Sequence, residues 1–343
     1  MYFVLKTLRF QIVLIVLCLT QLTSAQQTPE YVSFAQSGAY LPGILGVRDY
    51  ANPGQSGIFL IDYNLFLNSD SYVNRNGDKV NSIQGPLGNE LTLDIDIGGY
   101  INSLMFVYAS PKIGKLGNAQ YLFIVAPNYA TVNTRVALGE LINDRDIEGG
   151  VSGFGDLAVA PLMLSWQLGK FDLTGGYLFY APTGRYATGA SDNLGIGHWS
   201  HIVQFASYYY PVPDKSTALM LMPTYEFHSS IKDADVKPGS RFGLEYGISQ
   251  YFSERFEVSL QGGHIWQGGT DSGNDVYWDT SVKDRMSVFG AGAGYWLLPG
   301  SLYSNFKYTT TYGLKQNFKT NTFQIELLWI PHFKRKNATT GNL

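Results

Sequence analysis

The 343-residue sequence has a single cysteine, Cys18, and it lies inside the first apolar run. An exported chain with no other thiol has no disulfides to rely on, so packing and hydrogen bonding must hold it together. Charge is scarce as well: Asp, Glu, Lys and Arg make up 15% of the residues, against about 25% in ordinary soluble domains. Lys334-Arg335-Lys336 is the one basic cluster, which excludes nucleic acid as a partner. Beyond residue 25 no apolar run reaches the ~18–20 residues of a membrane-crossing helix, and no segment keeps a helical period. A helical membrane protein is thereby excluded. A β-barrel is not, because its spans are about 9–11 residues of alternating character. A G-x-S-x-G nucleophile elbow is also missing.

What is present is aromatic and flexible: aromatics reach 15%, and there are 38 glycines. The first residues read as an export signal. Lys6 and Arg9 precede an apolar stretch from Phe10 to Leu19, and Thr23-Ser24-Ala25 supplies a small-residue cleavage site. A lipoprotein signal ending at Cys18 is disfavoured because Leu17, not a small residue, precedes the cysteine. The expected divisions are a signal peptide (1–25), a segment of 26–56, a barrel (57–331) and a tail (332–343).

Period-two alternation pervades the remainder. Leu91, Leu93, Ile95 and Ile97 alternate with Glu90, Thr92, Asp94 and Asp96. Phe323, Ile325, Leu327 and Trp329 alternate with Thr322, Gln324 and Glu326. Phe242, Leu244, Tyr246 and Ile248 oppose Arg241, Glu245 and Ser249. About twelve such segments are expected, and the connections between them alternate between short turns and long polar loops. Sorting loops by end is the pattern of an outer-membrane barrel, with short periplasmic turns and longer extracellular loops. The fold class is therefore all-β: a transmembrane, antiparallel, up-and-down β-barrel. In hydrocarbon every backbone polar group must pair internally, which forces the sheet to close. Two stretches stay open. Residues 89–109 read either as one strand bent at Gly98-Gly99 or as a hairpin, and 153–168 has no assignable facing.

Five motifs occur in order: G-F-G-D-L (153–157), A-P-T-G-R-Y (181–186), N-L-G-I-G-H-W (193–199), P-G-S-R-F-G-L-E-Y (238–246) and Q-G-G-T-D-S-G (267–273). With Y-L-P-G-I-L-G-V-R-D-Y (40–50), they resemble the meta-pathway phenol degradation family of outer-membrane proteins. The resemblance implies uptake of hydrophobic or aromatic compounds. The chain departs from many outer-membrane barrels in ending not on an aromatic residue but on a tail beyond Phe333.

With apolar residues assigned to lipid, the lumen candidates are Asp94, Asp96, Glu226, His228, Arg241, Glu245, Glu257, Lys307, Lys315 and Glu326, joined by Met220 and Met222 as an apolar foothold. Leu41, Pro42, Ile44, Arg48 and Asp49 mark a segment that either plugs the lumen, with Arg48 pairing a lumen carboxylate, or hangs as a periplasmic tail. Trp199, Tyr277 and Trp278 are loop candidates for capturing an aromatic solute. Tyr208 to Tyr210 are expected to face lipid at the periplasmic boundary, and Pro223 to distort its strand. His198 and His201, three apart, fall on opposite faces of a strand. No cofactor is implied. The expected partners are outer-membrane lipid, a small hydrophobic or aromatic solute and the barrel-assembly machinery. Two rival readings are a barrel enzyme of lipase or protease type using Ser200 with a histidine, and a structural or adhesive barrel with a blocked lumen.

Overall fold

A computed structural model describes residues 38–84, 90–138, 147–188, 190 and 192–331. The expected signal peptide and the tail from residue 332 lie outside these. The strands are β1 (Gly57–Val73), β2 (Ser82–Gln84), β3 (Glu90–Ala109), β4 (Gln120–Ala126), β5 (Asn128–Leu138), β6 (Ile147–Phe154), β7 (Leu157–Leu168) and β8 (Phe171–Ala181). They continue as β9 (Ser200–Tyr209), β10 (Thr217–His228), β11 (Arg241–Tyr251), β12 (Phe256–Gln267), β13 (Arg285–Leu298), β14 (Leu302–Lys315) and β15 (Asn317–Trp329).

β4 and β5 are one wall strand interrupted at Pro127, and β6 and β7 are one interrupted at Gly155-Asp156. β2 is a short addition paired only to β3. Antiparallel pairing runs from β1 through β15 down to β7, then β4/β5 and β3, and β3 returns to β1. The result is a closed 12-strand antiparallel barrel. Residues 90–109 form one strand, which settles the open choice in favour of continuity.

From β8 to β15 the alternation follows the lipid-out rule. Along β10, Leu219, Leu221, Tyr225 and Phe227 are exposed while Met220, Met222, Thr224, Glu226 and His228 are buried. Pro223 produces no bulge. Its ladder to β11 is continuous, and pairing to β9 lapses between Leu221 and Thr224 with the register unchanged. The missing proline N–H thus interrupts one edge only. The tyrosine triplet is split by the same alternation. Tyr209 faces outward against Phe171, whereas Tyr208 and Tyr210 are buried. The expectation that all three face lipid is corrected, because strand neighbours must point to opposite sides.

The β1–β6 side differs. Ile61, Tyr63 and Leu65 point inward and pack with Ile101, Met105 and Val107. On the outer face of the same strands sit Asp62, Asn64, Asn102 and Tyr100. Asn102 Nδ2 donates to Asp62 Oδ1 (2.7 Å), Asn64 Nδ2 to Asp62 Oδ2 (2.9 Å), and the Tyr100 hydroxyl to Asn64 Oδ1 (2.6 Å). Asp62 lies roughly half-way along a span of about 9–11 residues, and this polar group sits among the exposed Ile58, Phe66, Phe106 and Tyr108 of the same outer face. β6 is paired along one edge only, to β5. Its other edge meets the loop after β8, where Asp156 accepts the Gly184 N–H (2.9 Å) and the Ile196 N–H (2.8 Å).

Candidate functional site

The interior is where most of the predicted polar residues meet. Glu226, His228, Arg241, Glu245, Glu257, Lys307 and Glu326 are all buried, on the inward faces of β10, β11, β12, β14 and β15. Glu226, Glu245, Glu257 and Lys307 bond to residues 39–48. The Ala39 N–H donates to Glu226 Oε1 (2.7 Å). Glu245 accepts the Tyr40 hydroxyl through Oε1 and the Gly43 N–H through Oε2 (2.8 Å). The Lys307 ammonium donates to the carbonyls of Ile44 (2.6 Å) and Leu45 (2.9 Å).

Arg48 is the most connected residue of the segment. Its Nε donates to Glu257 Oε1 (2.9 Å) and Ser249 Oγ (2.6 Å), and its terminal nitrogens to the carbonyls of Lys215 (3.0 Å) and Ser216 (2.8 Å). The guanidinium also lies 4.8 Å from the centre of the Tyr251 ring. Such a fork suits arginine, with its planar array of donors. Asp49 accepts the Tyr63 hydroxyl (2.6 Å) and the Gly46 N–H (2.5 Å). Ile44 and Leu45 pack against the apolar cluster of Ile61, Tyr63 and Leu65, and Leu41 against the main core. The segment therefore bridges two walls, one on β10–β15 that mixes charged residues with Met220, Met222 and Ile265, and an apolar one on β1–β3.

Glycines of the wall make that approach close. A Cβ on Gly263 would stand 2.9 Å from Pro42, and one on Gly247 2.8 Å from Val47. Real Cβ atoms essentially never come that near, so a side chain at either position would displace the segment.

Several predicted residues are elsewhere. Asp94 and Asp96 are exposed on the outer face, and Leu91 is buried. The apolar side of β3 faces inward, so the assumed facing is reversed there. Lys315 lies on the outer rim beside Arg285. A register shift between Arg285 and Ser287 in the β13–β14 pairing breaks the alternation before it, and one extra residue turns every later side chain over. Trp278 is buried with Ile231 and Val236, its indole N–H donated to Asp271 Oδ2 (2.9 Å). It braces the loops rather than waiting for a solute. Tyr277 is exposed against its edge, and Trp199 is exposed on the outer face against Phe179. Met220 and Met222 are buried on the inward face of β10.

Ser200 Oγ and His228 Nδ1 lie 2.9 Å apart, but Glu226 Oε1 is 4.0 Å from that same nitrogen. A hydrolytic relay needs the hydroxyl and the acid on opposite ring nitrogens, which this geometry does not provide. His201 faces outward, bonded to the Tyr177 hydroxyl (2.6 Å), while His198 is buried. Burial pushes the His198 imidazole down to about 4. Among the described residues no group of three or more His, Cys, Asp or Glu is placed to hold a metal.

The outer polar network of Asp62, Asn64 and Asn102 was missed by sequence reasoning. Its signal, the D-Y-N triplet at 62–64, was present, but the rule that sends apolar residues to lipid would have turned both polar residues toward the lumen.

The architecture is similar to the COG4313 outer membrane channel from Pseudomonas putida F1 (TM-score 0.63, 16% identity, covering 83% of this chain and 99% of that one). It is more distantly similar to the translocator domain of the autotransporter NalP from Neisseria meningitidis (0.41, 10%, 83% and 92%). A FadL homologue from Pseudomonas aeruginosa is comparably distant (0.40, 10%, 80% and 90%). At these identities the likeness concerns the fold, and the last two scores carry no further argument. Among curated proteins no significant sequence match was found. The family described as "Putative MetA-pathway of phenol degradation" matches residues 70–327. With that match spanning most of the barrel, the chain belongs to this MetA-pathway phenol-degradation family.

Proposed function

We propose that this barrel is a passive channel for small hydrophobic or aromatic compounds, with residues 38–56 acting as its plug. The observation that carries this reading is the apolar sector of the inner wall. A water-filled pore has a polar interior. Here Ile61, Leu65, Ile101, Met105 and Val107 point inward and stay apolar. A solute that avoids water gains free energy along such a strip, at about 25 cal/mol per Å² of apolar surface removed from water. A sugar gains nothing there.

The family's description names phenol degradation, and the Pseudomonas putida relative is an outer membrane channel; both agree with this reading. The facing polar wall, with Glu226, Glu245, Glu257 and Lys307, holds the plug through backbone groups of residues 39–45 and the Arg48 side chain. The single paired edge of β6, beside Pro127 and Gly155, supports a lateral way out of the wall. In this reading 1–25 is removed on export, 26–56 is the plug segment, 57–331 the barrel and 332–343 a tail.

The test is Ile101→Ser together with Met105→Ser, reconstituted in liposomes. Flux of an aromatic compound is expected to fall severalfold while sugar flux stays level or rises. Unchanged aromatic flux in a correctly assembled variant would remove the apolar strip from the mechanism.

A further inference from the structure

The outer surface carries a cationic recess that the transport reading does not use. At the upper end of β11–β14 an aromatic cluster faces outward. Trp266 stacks on Phe242 (5.9 Å between ring centres) and on His264 (5.3 Å), and His264 meets Tyr246 (5.7 Å) and Tyr312 (6.2 Å). Rings of this kind mark the height at which acyl chains give way to headgroups.

Directly across the sheet from Trp266 is Arg285, and across from Arg285 is Lys315. With Lys283 and Arg75 from the adjoining loops, they line a cavity of about 390 Å³. Only part of this charge is already matched. Arg75 pairs with Asp279 (2.7 Å), and Asp284 with the buried Arg241. Lys283 spends two donors on Gly269 O (2.7 Å) and Thr270 Oγ (3.0 Å). Arg285 gives Nε to Gly313 O (3.0 Å), and no carboxylate pairs with Arg285 or Lys315 among the described residues. The rim on the β1–β3 side is mixed in charge, with Asp70, Asp94 and Asp96 exposed beside Arg135 and Lys319.

We propose that this recess binds a phosphate of the phosphorylated glycolipid that forms the outer leaflet, the lipid A part of lipopolysaccharide, with Arg285 and Lys315 on the phosphate and Trp266 against the first acyl carbons. The height, the outward facing and the pairing of cations with aromatic rings favour a lipid over a dissolved anion. Guanidinium and ammonium groups bind phosphate through charge-assisted hydrogen bonds. Basic pockets at the headgroup level are a general means of holding anionic lipid.

The test uses the full-length protein in detergent, titrated with bis-phosphorylated lipid A, with chemically dephosphorylated lipid A and with inorganic phosphate. Assembly is checked by heat-modifiable migration. The bis-phosphorylated lipid is expected to bind, the dephosphorylated lipid to bind at least tenfold more weakly, and millimolar phosphate not to displace the lipid. Arg285→Ala with Lys315→Ala is expected to lower affinity by tenfold or more. Should that pair fail to assemble, Lys315→Gln alone, which disturbs no observed hydrogen bond, is expected to lower it severalfold. Equal binding of both lipids, or no loss in the variants, would overturn the site. Displacement by inorganic phosphate would overturn the lipid as its ligand.

Discussion

The two sides of the barrel wall differ in regularity and in where their polar groups sit. From β8 to β15 the strands are unbroken, greasy outward, and inward they hold the charged residues together with buried apolar ones such as Met220, Met222, Ile265 and Met286. From β1 to β7 two strands are interrupted, the inner face of β1 and β3 holds an apolar cluster, and the outer face sets the polar group of Asp62, Asn64 and Asn102 among exposed Ile58, Phe66, Phe106 and Tyr108. The regular side does what a lipid-solvated sheet must do. The irregular side satisfies its outer polar group by hydrogen-bonding Asp62, Asn64, Asn102 and Tyr100 to each other. The difference teaches that lipid fixes only part of the wall; contents of the lumen and the water above the membrane dictate the remainder. Residues 38–56 are the element that touches both sides.

Removing that bridge should have the largest effect. Deleting residues 38–56 is expected to raise single-channel conductance several-fold in planar bilayers. Conductance equal to that of the full chain would mean that the segment does not obstruct the lumen. A gentler break comes from the regular wall. Gly263→Leu or Gly247→Leu places side-chain atoms where Pro42 or Val47 now sits. Overpacking of this sort costs about 1–3 kcal/mol, so either variant should unfold at lower temperature and conduct more. A variant with unchanged stability and conductance would place the segment elsewhere.

The irregular side can be probed at Asp156, whose carboxylate holds the backbone of Gly184 and Ile196 beside the unpaired edge of β6. Asp156→Ala leaves both N–H groups without this acceptor, at a cost of about 1–3 kcal/mol for each that stays buried. Protease nicking of the 182–199 loop should accelerate while the barrel core stays resistant. Equal nicking rates would show that the carboxylate does not anchor the loop.

The smallest effect concerns pH. His198, at the mouth, has an imidazole lowered from 6.5 to about 4 by burial. The unfolded chain therefore takes up this proton first. Stability should fall as pH drops from about 6.5 towards 4 and be insensitive to this group above that range. His198→Gln should flatten that slope in thermal melts between pH 4 and 7, and an identical slope would assign it to other groups.

Much of the regular side was legible in the sequence, for a physical reason. Lipid enforces alternation, so Phe242, Leu244, Tyr246 and Ile248 declared their face, as did Phe323 to Trp329. The same rule misplaced Asp94 and Asp96. Their apolar neighbours face the interior, and the polar residues face outward near the rim. Lys315 was misplaced by a single register irregularity, which composition does not encode. Trp278 looked like an exposed aromatic because its apolar partners Ile231 and Val236 come from another loop, although Asp271 lies in its own. In Arg48 the expectation of a carboxylate partner met a specific residue, Glu257, that only the fold could choose among several acids.

The claim at the centre of this account is that the apolar strip of Ile61, Leu65, Ile101, Met105 and Val107 on the inner wall selects the solute. It is tested most directly by flux through the purified full-length channel in liposomes, comparing an aromatic alcohol with a sugar of similar size. The account predicts that the aromatic compound passes severalfold faster than its rate through protein-free membrane, and that the sugar gains little. Equal protein-dependent gains for both solutes would contradict it and make the barrel a general pore.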